Sequence, residues 1–129
     1  MKTRDGRSGF CPVYHYAIEL IGRRWTGAIL RALHSGEIRF SEVTATVPGL
    51  SDRLLSERLK ELEAEGIVTR TVIPDTPVRI EYHLTEKGQA LGQVMEEIAL
   101  WAEEWVEPAP AAQQCAEAEA KMATAAAHG

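Results

Sequence analysis

Only two cysteines occur in the 129 residues, Cys11 and Cys115, and they lie near opposite ends of the chain. No C-x-x-C pair and no Cys/His ligand spacing accompanies them, which argues against a structural zinc site. In a reducing compartment two such distant thiols are expected to stay free. His15, His34, His83 and His128 do not converge at metal spacing either, and each reads as a solvated or core histidine. No metal and no cofactor is expected. Long apolar runs are missing too. The first, residues 17–21, is far short of the roughly 20 residues a membrane span needs, and nothing has the layout of a signal peptide. The expected location is therefore the cytoplasm. No Ser/His/Asp order, paired-acid motif or phosphate loop stands out, so the chain is not expected to be an enzyme.

An excess of positive charge is the last absence, and the formal net charge of −5 argues at first against a nucleic-acid partner. The distribution matters more than the sum. Residues 1–87 carry 13 Lys and Arg against 12 Asp and Glu, whereas residues 88–129 carry one Lys against seven Glu. The acidity sits in the C-terminal third, and a basic face elsewhere stays open.

What is present is an ordinary globular composition, 45% hydrophobic and 26% charged, in one domain's length of chain. The stretch around which it is organised is 51–66. Ser51 has the chemistry of an N-cap, and Gly66 suits the left-handed residue that ends many helices. At about 100° per residue, Leu55, Leu59 and Leu62 share one side of that helix. Arg53, Ser56, Glu57 and Lys60 share the other. That outer stripe either reads base edges or is a solvated helix face, and its neighbours must decide.

Residues 1–10 read as a flexible N-terminus. Cys11-Pro12 opens a helix to about residue 21, since proline suits the first helical position. Val13, Ala17, Leu20 and Ile21 form its apolar face, with Tyr14 and Tyr16 flanking. Gly22-Arg23-Arg24-Trp25 breaks it, with Trp25 as a core anchor. Thr26 is expected to cap a helix over 27–34, ended by Gly36. Ile38-Arg39-Phe40 is expected to be an edge strand, and Ser41 to cap a brief helix through residue 47. Pro48-Gly49 then turns the chain into the Ser51 helix, the layout of a helix-turn-helix.

After Gly66 the period changes to two. Residues 67–73 are rich in β-branched side chains and read as a strand. Pro74-Asp75-Thr76-Pro77 is a turn. Residues 78–84 alternate, with Val78, Ile80, Tyr82 and Leu84 facing in. A hairpin directly after a helix-turn-helix is a wing, so the expected fold is mostly α with a small β-hairpin (α+β), a winged helix-turn-helix over 11–106. Thr85 caps a long final helix, 86–106, with an apolar stripe of Leu91, Val94, Met95, Ile98, Trp101, Ala102 and Trp105. Dimerisation through this stripe is the expectation; packing back on its own domain is the alternative. Pro108 and Pro110 end the helix, and 107–129 is an Ala-rich tail, a loose helix or disordered.

With the wing in place, the chain resembles the HxlR-type transcription regulators of the MarR-like winged-helix class. The matching blocks are Cys11-Pro12-Val13, Ile21-Gly22-Arg23-Arg24-Trp25-Thr26, Arg39-Phe40-Ser41-Glu42, Pro48-Gly49-Leu50-Ser51, Leu55-Ser56-Glu57-Arg58-Leu59-Lys60-Glu61-Leu62, Pro74-Asp75-Thr76-Pro77-Val78-Arg79-Ile80-Glu81-Tyr82 and Leu84-Thr85-Glu86-Lys87-Gly88. They cover about residues 11–106. The resemblance implies a homodimeric bacterial regulator on a palindromic operator of double-stranded DNA, repression being the commoner mode. For some members it implies an N-terminal cysteine that senses electrophiles or oxidants.

In that setting Arg53 suits a bidentate contact to guanine, Ser56 a base or phosphate, and Glu57 a cytosine amine. Lys60, Arg39, and the hydroxyls of Ser41 and Ser51 at helix N-termini suit the DNA backbone. Arg79 suits a minor groove or phosphate beside the wing, and Arg58 a structural ion pair. A helix N-terminus favours the thiolate form of a cysteine such as Cys11, whose oxidation or alkylation then shifts dimer geometry. The alternative for Cys11 is a small residue packed at the dimer interface. Two other readings stand beside these: gating by a small hydrophobic ligand at the dimer interface, and a winged helix used only for protein–protein contact.

Overall fold

The computed structural model describes residues 9–107, and expectations that fall on 1–8 and 108–129, including Cys115, His128 and the tail, lie outside them. Seven elements follow in order: α1 (Pro12–Ile21), α2 (Thr26–His34), α3 (Phe40–Thr46), α4 (Asp52–Ala64), β1 (Val68–Ile73), β2 (Arg79–Leu84) and α5 (Glu86–Trp105). The core is built where the apolar faces of α2, α3, α4 and the base of the hairpin meet. Ile29, Leu30, Val43, Leu55, Leu59, Leu62, Ile67 and Val68 are among its buried members. Each such side chain contributes about 1.5–3 kcal/mol of transfer free energy.

The boundaries of α4 follow from its end residues. The Ser51 hydroxyl accepts the Leu54 N–H at 3.2 Å, and Gly66 takes φ 74°. The β1 and β2 strands form an antiparallel hairpin in which Val68 pairs with Leu84, Arg70 with Tyr82 and Val72 with Ile80. Directly opposed residues share a face, so these six line one side of the hairpin. The Thr85 hydroxyl accepts from Gly88 N–H at 3.1 Å and donates to Gly66 O at 2.6 Å. It caps α5 and ties the start of that helix to the end of α4.

Five expectations are corrected. Residues 38–40 form no strand: Phe40 already opens α3, and the Tyr82 N–H bond to Ile38 O at 2.7 Å is the sheet-like contact that remains. Ser41 lies within the first turn of α3, whose N-cap is Arg39; the Glu42 carboxylate accepts the Arg39 N–H at 2.8 Å. Thr26 does not cap α2 but is its first residue and is buried, the helix being entered from Trp25 at φ 78°. Met95 is 5% exposed and fills the α2–α5 contact beside Gly27, while Leu91 packs against the same core. Both serve this domain's own core, because Gly92 lets α5 lie close on α2: a Cβ there would come within 2.4 Å of the His34 ring. Val78 also departs from its inward assignment: it stands outside β2 and is exposed.

Candidate nucleic-acid interface

On α4 the buried leucines fix which side remains outside. Arg53, Glu57 and Lys60 are exposed and Ser56 is half-buried. The stripe divides in two. Arg53 Nε lies 3.4 Å from Glu57 Oε1, an i,i+4 pair with the arginine 88% exposed. Such pairs contribute about 0.3–0.5 kcal/mol, so a base edge can displace the carboxylate at small cost. Ser56 and Lys60 instead line a cleft of about 280 Å³ between α4 and the hairpin, together with Leu59, Glu63, Arg70 and Tyr82.

Behind the stripe, Arg58 is held as a structural residue. Its Nε donates to Arg24 O at 3.0 Å and its Nη1 meets Glu61 at 3.2 Å. The second face of the hairpin carries Arg79, Glu81 and His83. Arg79 lies 3.3 Å from Glu81 and 3.5 Å from Asp75, and His83 Nε2 is 2.9 Å from Glu81. The hydrogen bond with His83 holds the Glu81 carboxyl below its ordinary range; Arg79, His83 and Arg39 act in the same direction and partial burial opposes them. Glu81 is thereby ion-paired to the wing arginine and feels the charge of Arg39 at the N-cap of α3. Ser41 is exposed beside it. Glu81 and Arg70 were missed in the sequence. The signal for Arg70 was present: two-residue alternation puts it on the face of Val68 and Val72, an odd place for a cation without a ligand.

A helix capped by Ser51, preceded by a Pro48-Gly49 turn with Gly49 at φ 83°, and followed by a hairpin, is a winged helix-turn-helix. The model of the HxlR-like helix-turn-helix family matches residues 20–110. The chain belongs to this family.

Its similarity to individual HxlR-type proteins is extensive. The HTH-type transcriptional regulator YvaP of Bacillus subtilis (strain 168) is 53% identical over 102 residues, which cover 79% of this chain and 94% of that protein. Among solved structures, quinone-bound YodB from B. subtilis matches with a TM-score of 0.63 at 45% identity, covering 74% of this chain and all of that one. The redox regulator HypR in its oxidized form matches with a TM-score of 0.69 at 35% identity, covering 75% and 99%. The protein is thus an HxlR-type transcriptional regulator with a helix-turn-helix DNA-binding fold.

Two further features of this HxlR-type chain lie away from α4. Cys11 is half-buried, free, and occupies the N-cap of α1, with its carbonyl accepting the His15 N–H at 2.9 Å. The apolar side chains of α1 and α5 are largely uncovered. Val13, Tyr14, Tyr16 and Ile18 on α1, and Val94, Ile98, Trp101 and Trp105 on α5, are all exposed. Among the described residues no helix is long and apolar enough to cross a membrane.

Proposed function

We propose that the protein is a homodimeric repressor that reads a palindromic operator, one α4 per half-site, and that Cys11 makes it responsive to oxidants or quinones. The observation that carries the reading is the outward stripe of α4, held by three buried leucines, with the wing beside it. Arg53 and Glu57 contact bases; Ser41, Ser51, Ser56, Lys60 and Arg39 contact the backbone; Arg79 extends the contact from the wing. Val94, Ile98, Trp101 and Trp105 pair two copies, since exposed apolar patches of this kind mark association surfaces.

Support for the thiol response comes from the position of Cys11 at a helix N-terminus and from the relatives: YodB has a quinone-bound form and HypR is a redox regulator with an oxidized form. With a quinone, the thiolate lone pair forms a C–S bond at a ring carbon. The ring π electrons shift to one carbonyl oxygen, which takes a proton from solvent; the attacked carbon then loses its own proton, the second oxygen gains one, and a thioether-linked hydroquinone remains. A bulky adduct at the start of α1 then disturbs the apolar face that pairs the subunits.

A gel-shift titration against DNA from upstream of its own gene tests the reading. Expected are a sequence-specific complex that weakens steeply with salt, and its loss after quinone treatment in the wild type but not in Cys11→Ser. A regulator that never shifts DNA, at low salt and across genomic fragments, sinks the DNA assignment. A Cys11→Ser protein that keeps the full response removes the thiol switch.

One observation favours gating by a non-covalent ligand. A cleft of about 500 Å³ between α1 and the end of α4 is lined by Tyr16, Glu19, Leu20, Arg23, Glu61, Ala64 and Glu65. The Tyr16 hydroxyl donates to Glu65 there, a bond that holds the phenol above its ordinary range, reinforced by burial and by the carboxylate's charge. An unchanged response in Cys11→Ser, lost in Tyr16→Ala, would establish this alternative.

A further inference from the structure

Two of the arginines that the sequence points toward DNA already have carboxylates beside them. Arg53 meets Glu57, and Arg79 lies between Asp75 and Glu81. Elsewhere Arg23 and Arg58 share Glu61, and Arg31 meets Glu96. Lys60 and Arg70 differ. Neither forms an ion pair or a side-chain hydrogen bond among the described residues, and both line the same cleft between α4 and the hairpin.

The position of Arg70 sharpens the point. Val68, its neighbour two residues earlier on the same face, is 2% exposed, and Tyr82, its partner across the ladder, packs partly on the core. Arg70 therefore stands on the inward face of the hairpin yet stays exposed at the mouth of the cleft. Two cations lining one cleft, neither ion-paired, repel, and the arrangement gains when an anion enters. Ser56 adds a hydroxyl to the lining, and Glu63 is the one carboxylate there. Lys60 and Arg70 against Glu63 leave one net positive charge, matching the single charge of a phosphodiester.

We propose that this cleft receives one DNA backbone phosphate, with Arg70 and Lys60 as its cationic ligands and Ser56 as a hydroxyl donor. Arg70 offers a planar fork to two phosphate oxygens and Lys60 a point charge. The site rests on the DNA reading above and adds a residue to it: Arg70 becomes a backbone ligand, converging on one phosphate with Ser56 and Lys60. Because phosphate contacts fix register and carry no sequence information, the clamp sets how deep and at what angle α4 lies. Arg53 and Glu57 are left to discriminate. Glu63 opposes binding and limits affinity for DNA of any sequence.

The test compares the salt dependence of binding to operator and to unrelated duplex DNA for the wild type, Arg70→Gln, Lys60→Gln, Arg70→Lys and Glu63→Gln, with thermal melting of each to confirm folding. Arg70→Gln and Lys60→Gln are each expected to weaken both complexes by the same factor and to lower the log–log salt slope by about one per half-site. Arg70→Lys should restore most of the slope. Glu63→Gln should tighten both complexes, an effect that a merely structural role does not produce. An Arg70→Gln protein that is folded but keeps the wild-type slope overturns the clamp while the DNA reading stands. So does one that loses operator alone, with altered base preference. A wild type that binds neither duplex removes the DNA reading and the phosphate site together.

Discussion

Arg53 and Glu81 show how differently two charged residues of one interface are used. Arg53 is almost fully solvated and held by one weak pair, so it enters a groove with little to give up. Replacing it with alanine should cost about 1–3 kcal/mol of operator binding and relax preference at one base position. Competition gel shifts with operators varied base by base measure both, and a uniform loss at every base would contradict a base-reading role. Glu81 accepts from His83 and faces Arg79, and its carboxyl is held below the ordinary range. A carboxyl whose folded value is depressed stabilises the fold above its unfolded value and loses that contribution as pH falls through the folded one. Urea midpoints of the wild type should therefore drop more steeply than those of Glu81→Gln on acidification from about pH 5 to pH 3. Parallel pH profiles would show that the His83–Glu81 bond does not persist in solution.

At the scale of elements, legibility tracked whether a boundary was set by local chemistry or by packing. Ser51 and Gly66 delimit α4 through a hydroxyl cap and a left-handed backbone, and both signals lie in the residues themselves. The hairpin was legible for the same reason, since alternation survives in one dimension. The start of α2 was not: Thr26 has cap chemistry, but the turn through a left-handed Trp25 buries it. Nor was the missing edge strand, because Glu42 capping the backbone at Ile38 and Arg39 draws residue 40 into α3. Two glycines separate the kinds of constraint. At Gly66 a Cβ would meet nothing within 4 Å, and only the φ of 74° resists a side chain. At Gly88 a Cβ would lie 2.1 Å from Ile67 O, a backbone atom that cannot step aside. Gly66→Ala should cost about 1–2 kcal/mol. Gly88→Ala should match or exceed that, because overpacking costs typically 1–3 kcal/mol and the obstacle here is backbone. Equilibrium urea denaturation ranks the pair, and a Gly88→Ala protein as stable as the wild type would mean that α5 can shift away from Ile67.

For the whole molecule, the sequence told more about what the domain is than about which surfaces it leaves open. The order of motifs indicated a winged helix, and the charge partition left room for a basic face on it. The stripe on α5, however, read as one continuous seam. Folding divides it, with Leu91 and Met95 turned into the core and Val94, Ile98, Trp101 and Trp105 left outside. Periodicity gives a direction around a helix but not how much of each side the rest of the domain can reach. The exposed half of α5, together with the uncovered apolar side chains of α1, is the surface on which the proposed pairing of half-sites depends. Trp101 is 60% exposed on α5, so a charge there leaves the domain core untouched. Trp101→Glu should keep the melting behaviour of the domain core yet shift sedimentation equilibrium from dimer to monomer. Since a dimer joins two half-site contacts in one molecule, affinity for a full palindrome should fall about 100-fold or more. Affinity for an isolated half-site should change little, because α4, Arg70 and the wing are untouched. A wild type that sediments as a monomer at micromolar concentration, or a Trp101→Glu protein that still binds the palindrome with full affinity, would place the pairing surface elsewhere on the molecule.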